Sequence, residues 1–369
     1  MPGDETERIN LIVLFGGQSA EHDVSCTTAA HVLAAADPAK YDITPIGIST
    51  DGQWALADGA LAALRQGPGA LPSQLDPSGS DVSPTPMLAS VSAAQGQTVV
   101  MPLLHGPMGE DGTVQGLLEL SGLAYVGAGV LGSAVAMDKA MAKQVCTAAG
   151  IPQARYRAFA EHQLTPRLVQ DIADNLGLPA FVKPANMGSS IGVSKANTVE
   201  ELRDAINLAL SYDEMIIVEE AVIGKEIEVA VLGNTEPHAA TPGEIVPGDD
   251  FYSYEDKYVS DRSYAVIPAP IGEAALAEAK ELAIATFRTL RCDGLARVDF
   301  FWEDPSTEID GRPGRGFLLN EVNTMPGFTP ISMFPKMWIA DGVSYPEIID
   351  RLVGLAVERH GRRRRNTAR

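Results

Sequence analysis

INLIVLFGGQSAEHDVS, residues 9–25, decides the fold class. Ile9 to Phe15 is nearly all apolar and stops at Gly16-Gly17, which suits a short buried strand. A polar loop follows, then an alanine-rich segment from about Thr27 to Ala36 with the composition of a helix. The order recurs downstream as TVVMPLL at 98–104, the loop HGPMGEDG at 105–112 and the helical VQGLLEL at 114–120. Repeated strand, loop and helix predict an α/β layer on a parallel sheet, with ligands beyond the carboxyl ends of the strands. Both loops therefore open onto a candidate site.

The first loop lacks a G-x-G-x-x-G fingerprint, which counts against a dinucleotide, and presents Glu21 and His22 instead. A carboxylate there can hold a substrate ammonium group, or can sit as an acid favoured by a helix N-terminus; position alone weighs the two evenly. The second loop sets His105 beside Glu110 and Asp111, where a lone histidine is more often a loop hydrogen-bonder than a catalyst. Residues 55–97 are rich in Ala, Gly, Pro and Ser and read mostly as a surface insertion. A strand at AYVG leads to a helix containing Met137, Asp138 and Lys139, and Gly150-Ile151-Pro152 marks a boundary. Beyond it come strand LPAFVKP, a glycine-serine loop, strand IGVSKA, a helix capped by Asn197 and Glu200 as a capping box, and strand EMIIVEEAV. KEIEVAVLG continues as a strand, and the long loop at 247–265 before the 272–290 helix has the length of a functional lid.

Near the C-terminus, LARVDFF at 295–301 and GFLLNEVNT at 316–324 carry polar side chains at i and i+2, which share one face of a strand. A hairpin symmetric about Asp310 sets Asp299 opposite Glu321 and Arg297 opposite Asn323. Like charges directly opposite are destabilising. Two carboxylates and an amide oxygen become favourable around a hard divalent cation such as Mg²⁺, with the arginine aimed at anionic ligand oxygens. The alternative, a solvated polar strand face, fits poorly with the apolar Phe300, Phe301, Phe317, Leu318 and Leu319 around it.

KPANMGSSIG at 183–192 ends a strand with a lysine and follows it with small residues whose N–H groups can approach phosphate oxygens. It is not a P-loop, and alone it is a weak signal; with Lys139 upstream and the carboxylates downstream it reads as a nucleotide-phosphate site. No G-x-S-x-G elbow and no C-x-x-C is present, which leaves chemistry driven by positioning and electrostatics. The 369 residues allow two or three domains. A net charge of −20, carried despite arginines 362–365 and 369 at the tail, argues against nucleic-acid or anionic-membrane partners. The tail itself reads as a frayed, solvated terminus. Cys26, Cys146 and Cys292 are odd in number and far apart, as expected of reduced thiols in a cytoplasmic protein.

Taken together, GGQSAEHDVS, HGPMGEDGTVQG, AMDK, FVKPANMGSSIGVSK, VEEAVIGKEIEV, FYSYEDKY, ARVDFF and LNEVNTMPGFTPISMFP resemble the D-alanine–D-alanine ligase family of the ATP-grasp superfamily, across nearly the whole chain and in the family's order. The resemblance implies a three-domain α/β architecture: an N-terminal parallel-sheet domain at 1–127, a central domain at 128–219 and a C-terminal domain at 220–369, the last two of α+β type and gripping ATP between them. It implies that Lys139 and Lys183 hold phosphates, that Glu219 and Val222 line the adenine pocket, and that Glu226 reaches the ribose. Asp299, Glu321 and Asn323 would ligate two Mg²⁺ ions, with Mn²⁺ as a substitute. Glu21, supported by Ser189 and Tyr258, would bind the ammonium of the first D-alanine. Arg297 and the N–H of Gly327 would stabilise the oxyanion, while Ser332, Lys257 and His105 would contact substrate. The implied product is D-alanyl-D-alanine for peptidoglycan precursors, made by a homodimer. A ligase using D-lactate or D-serine second, and a silent nucleotide sensor, are the rival readings.

Overall fold

The computed structural model describes residues 8–93, 96–246, 248 and 263–363. The N-terminal part builds a six-stranded sheet from β1 (Ile9–Gly16), β2 (Tyr41–Ile48), β3 (Trp54–Leu56), β4 (Ser80–Asp81), β5 (Thr98–Pro102) and β6 (Ala124–Tyr125), in the order β4-β3-β2-β1-β5-β6. The pairs β1 with β2, β1 with β5 and β5 with β6 are parallel, whereas β3 and β4 add an antiparallel edge. The parallel strands are linked by α1 (His22–Ala35) and α4 (Thr113–Leu120), with α2 (Asp58–Gln66) and α3 (Pro84–Ala93) between them. β1 is central and buried on both faces: Leu11, Val13 and Phe15 enter one core and Ile12 and Leu14 another, as the two-residue period of a strand requires. The 55–97 segment is more than a surface insertion. It supplies β4 and most of β3, and buries Leu75 and Leu88.

The helix expected around Met137 is two helices, α5 (Val130–Met137) and α6 (Lys139–Ala148). Asp138 breaks it by leaving helical geometry and accepting a hydrogen bond from the Met141 N–H at 2.9 Å, an N-cap that satisfies an orphan donor. A second sheet, entirely antiparallel, is ordered β7-β10-β8-β9 from β7 (Tyr156–Ala160), β8 (Ala180–Pro184), β9 (Ser194–Ala196) and β10 (Met215–Glu220). It packs on α7 (Pro166–Leu176) and α8 (Val199–Leu210). The cap of α8 differs from the predicted box: Thr198 accepts from the Glu201 N–H, and the Glu201 carboxylate accepts from the Asn197 N–H at 2.7 Å. The threonine hydroxyl spans the required distance from one residue later than asparagine would.

The third sheet runs β14-β13-β11-β15-β18, from β11 (Lys225–Gly233), β12 (His238–Ala239), which pairs with β11, β13 (Gly243–Val246), β14 (Tyr264–Val266), β15 (Gly294–Glu303) and, after the small ribbon of β16 (Glu308–Ile309) and β17 (Arg312–Pro313), β18 (Gly316–Asn323). It is covered by α9 (Glu273–Thr289), while α10 (Met333–Ala340) and α11 (Tyr345–Arg363) turn back onto the N-terminal sheet in a shared core. Two of the tail arginines are docked rather than frayed: Arg362 pairs with Asp293 at 2.6 Å and Arg363 with Glu119 at 2.7 Å. Residues 364–369 lie outside the described residues. The three cysteines are buried free thiols, and burial pushes Cys146 up to about 11 and Cys292 to about 12. No helix among the described residues is long and apolar enough to cross a membrane.

Candidate active site

Strand periodicity puts the lysine on the open face of the central sheet. Ala180 and Val182 of β8 enter the core beneath it, so Lys183 points the other way, as Glu219 does on β10, where Ile216 and Val218 are core. Glu219 bonds Lys183 and Lys143 at 2.6 Å each. Burial works to raise the Glu219 pKa, but the two ammonium groups outweigh it and bring it down to about 2. Burial likewise works against the charge on Lys183, and Glu219 and Glu321 outweigh it. Lys183 also donates to the Asn320 side chain at 3.1 Å. Lys139, the first residue of α6, donates to the Met187 carbonyl at 2.6 Å and stands 3.7 Å from Glu321.

The β15–β18 hairpin pairs as its spacing predicts at the polar end: Arg297 lies opposite Asn323 and Asp299 opposite Glu321. Between Asp299 and Phe300 the register shifts, because Asn320 is an extra residue in β18. This bulge changes which face the strand presents. Phe317 and Leu319 enter the core, as does Val322, so Glu321 and Asn323 emerge on the open side. Arg297 grips Asp299 with two bonds of 2.8 and 2.7 Å and reaches Glu228 at 3.1 Å. Burial opposes its charge, but Asp299 and Glu228 hold its pKa well above the ordinary guanidinium value. Asn323 donates its amide N–H to Asp299 at 2.9 Å.

Glu228 lies directly opposite Asp299 on β11, so three carboxylates cross three strands in one row. Among the described residues, no group of three or more His, Cys, Asp or Glu is arranged as a metal site; the candidate donor set is two acids and an amide. Glu226, two residues before Glu228, shares its strand face, and half-buried Val222 follows the end of β10.

From the N-terminal sheet, Glu21 accepts a short hydrogen bond from the Ser189 hydroxyl in the glycine-serine loop. Ser189 and Ser190 take φ of +49° and +58°, a left-handed conformation that costs a residue with a Cβ. A Cβ at Gly188 would stand 2.9 Å from Glu21 Oε2, so a larger residue there would push that carboxylate aside. His105 and Glu110 reach the turn after β18: His105 Nδ1 donates to the Met325 carbonyl at 3.0 Å, and Glu110 accepts from the Met325 N–H at 3.1 Å. Burial lowers the His105 pKa and raises that of Glu110 to about 8, with Glu21 adding to the latter. Gly327 lies two residues beyond Met325, and the Ser332 hydroxyl bonds Thr329 in the same turn. Lys257 and Tyr258 lie outside the described residues, as does most of the expected lid.

The structure thus brings together Glu21 with Ser189, Lys183 with Glu219, Lys139 with Glu321, and Arg297 with Asp299 and Asn323. Sequence reading missed Lys143, Glu228 and the part Glu110 plays. Lys143 was detectable as the i+4 neighbour of Lys139 on one helix face, and Glu228 as the i+2 partner of Glu226 on one strand face.

A lysine on one antiparallel sheet and two on the helix α6 beside it, facing a carboxylate-bearing hairpin on another sheet, with a parallel-sheet domain closing the site, define an ATP-dependent ligase of the ATP-grasp kind. Two family models match the chain, "D-ala D-ala ligase N-terminus" over residues 10–128 and "D-ala D-ala ligase C-terminus" over 145–354. The chain belongs to the D-alanine–D-alanine ligase family. The D-alanine–D-alanine ligase of Deinococcus radiodurans is 47% identical over 94% of this chain and 98% of its own length. That of Bacillus pumilus is 45% identical over 96% and 97%. Among solved structures, the D-alanine–D-alanine ligase from Coxiella burnetii superposes with a TM-score of 0.78 at 34% identity, covering 97% of this chain and 96% of that one. The VanG D-Ala:D-Ser ligase from Enterococcus faecalis also gives 0.78, at 35% identity over 95% and 100%.

Proposed function

We propose that the protein joins two D-alanine molecules into D-alanyl-D-alanine, converting ATP to ADP and phosphate, for peptidoglycan precursor synthesis. The observation that carries this reading is the Glu21–Ser189 bond, which ties the amino-acid loop of the N-terminal sheet to the loop after Lys183. In this reading Glu21 binds the ammonium of the first D-alanine, oriented by Ser189 and Tyr258. Lys139 and Lys183 hold the ATP phosphates, Glu219 and Val222 border the adenine, and Glu226 binds the ribose. The carboxylate of the first D-alanine attacks the γ-phosphorus and ADP leaves, giving an acyl phosphate. The amine of the second, with its carboxylate held by Ser332 and Lys257, attacks the acyl carbon. Arg297 and the Gly327 N–H stabilise the tetrahedral oxyanion, and phosphate departs.

Asp299, Glu321 and Asn323 suit Mg²⁺ or Mn²⁺, since the donors are hard oxygens and the two acids stand opposite one another. The Asn323 amide now donates to Asp299, so ligation requires it to turn about its last bond. Bound there, the ions would supply neutralisation of phosphate charge. Assembly as a homodimer in the cytoplasm belongs to the same reading, and the acidic body with its buried thiols supports the location.

The test is phosphate release from MgATP with D-alanine, followed by rate comparison of D-alanine, D-serine and D-lactate as second substrate at neutral pH. Lys257-Tyr258 leads us to expect D-alanine to be preferred. A clear preference for D-lactate or D-serine would sink the dipeptide reading, and no stimulation by any of them would favour a silent sensor.

A further inference from the structure

The turn that carries Gly327 is held from both sides, and one side belongs to another sheet. Met325 is gripped at both of its backbone polar groups: its N–H donates to Glu110 Oε1 at 3.1 Å and its carbonyl accepts from His105 Nδ1 at 3.0 Å. Glu110 Oε2 accepts from the Gly106 N–H at 2.8 Å, and Gln115 secures the loop by donating to the Gly109 carbonyl at 2.8 Å. Glu110 and His105 are 7% and 5% exposed, so water hardly competes for these bonds, and buried bonds of this kind hold geometry well. Beyond Gly327, the Tyr345 hydroxyl donates to the Phe328 carbonyl, and the fully buried Phe328 ring packs 5.2 Å from Tyr345 and 5.8 Å from Phe334.

We propose that Glu110 is a positioning residue for the reaction: with His105 on one side of the turn and Tyr345 on the other, it sets the Gly327 N–H where the oxyanion develops. This rests on the function proposed above. A hydrogen-bond donor for an oxyanion works only if it is in place before the charge forms, and a glycine in a loop has too much backbone freedom to hold such a position unaided. The N-terminal sheet therefore contributes to the chemical step through backbone geometry, in addition to any substrate contact.

The test uses the whole chain and the variants Glu110→Gln and Tyr345→Phe, the second at a residue to which no substrate contact is assigned. For each, kcat, the KM for ATP, the inhibition constant of a tetrahedral phosphinate analogue of the dipeptide, and Tm are measured. Glu110→Gln should lower kcat and weaken phosphinate binding by about tenfold or more, while the KM for ATP stays within about twofold. Tyr345→Phe should show the same pattern with a smaller loss. If Glu110→Gln fails to fold, Tyr345→Phe decides alone. An unimpaired kcat, or ATP and phosphinate affinities that fall together as in general loosening, would overturn the proposal while leaving the ligase reading standing. Wild-type protein that releases no phosphate from MgATP with D-alanine would overturn both.

Discussion

At one end of the β15–β18 hairpin, Glu303 is fully buried and both its oxygens are taken up, by Arg312 at 2.6 and 3.0 Å and by Arg315 at 2.9 and 2.7 Å. Arg315 continues to Glu220 on the central sheet, which also holds Arg155 at 2.7 Å. At the other end, Glu228, Asp299 and Glu321 form a row across three strands, with Arg297 bonded to two of them and Lys139 3.7 Å from the third. The distal acids are outnumbered by arginines, and the network ties two sheets together. At the proximal end, the three acids are met among the described residues by Arg297 and, at longer range, by Lys139. Acids whose oxygens are all taken up by arginines build structure, whereas like charges set directly opposite one another are favourable only with cations beside them.

The comparison would break first on activity. Asp299→Asn or Glu321→Gln is expected to lower turnover by about two to three orders of magnitude with the fold intact, which steady-state kinetics paired with circular dichroism will decide; near-normal turnover would remove the proximal end from the chemistry. At the distal end the loss should appear in stability instead. Glu303→Gln leaves two partly exposed arginines without their shared carboxylate and should cost about 1–3 kcal/mol, seen as a lower urea midpoint. At temperatures where it stays folded, its kcat should remain close to wild type.

Acid should act on the paired carboxylates next. Burial works to raise the Glu303 pKa, but its bonds to Arg315 and Arg312 outweigh this and lower it to about 2, and Glu219 is brought to the same value by its lysines. Both groups return to their ordinary 4.5 on unfolding. Unfolding therefore takes up protons, and their contribution, full above that pH, drains away as pH falls toward 2. Thermal melts between neutral and acid pH should show a shallower decline for Glu303→Gln; an identical slope would contradict the pairing. The smallest effect concerns neither end: Thr198→Ala should cost about 1 kcal/mol through the lost cap of α8, measurable by chemical denaturation.

Much of this was legible in the chain. The buried run ending at Gly16-Gly17 announced the parallel sheet, because a strand covered on both faces must be apolar throughout. The facing of Asp299 and Glu321 followed from counting residues across the turn. What escaped were contacts made at long range. Lys143 reads as an ordinary helix lysine until Glu219 arrives from a strand far along the chain, and Glu110 reads as a loop acid until Met325 does. Arg362 and Arg363 read as a solvated tail until Asp293 and Glu119 receive them.

The sequence by itself determined which chemical groups meet: the two acids, the amide and the arginine sit at strand spacing, and no other fold-level choice was needed to pair them. It did not determine which face they would occupy. Phe317, Leu319, Glu321 and Asn323 alternate as though all four belonged on one side, an arrangement that would send either the apolar pair into solvent or the polar pair into the core. The bulge at Asn320 resolves this by one extra residue. A shift of one position exchanges the faces of a strand, and here burying Phe317 and Leu319 while opening Glu321 and Asn323 is favoured only once the packed helices α5, α6 and α9 supply a core on one side and α6 and the central sheet bring Lys139 and Lys183 to the other.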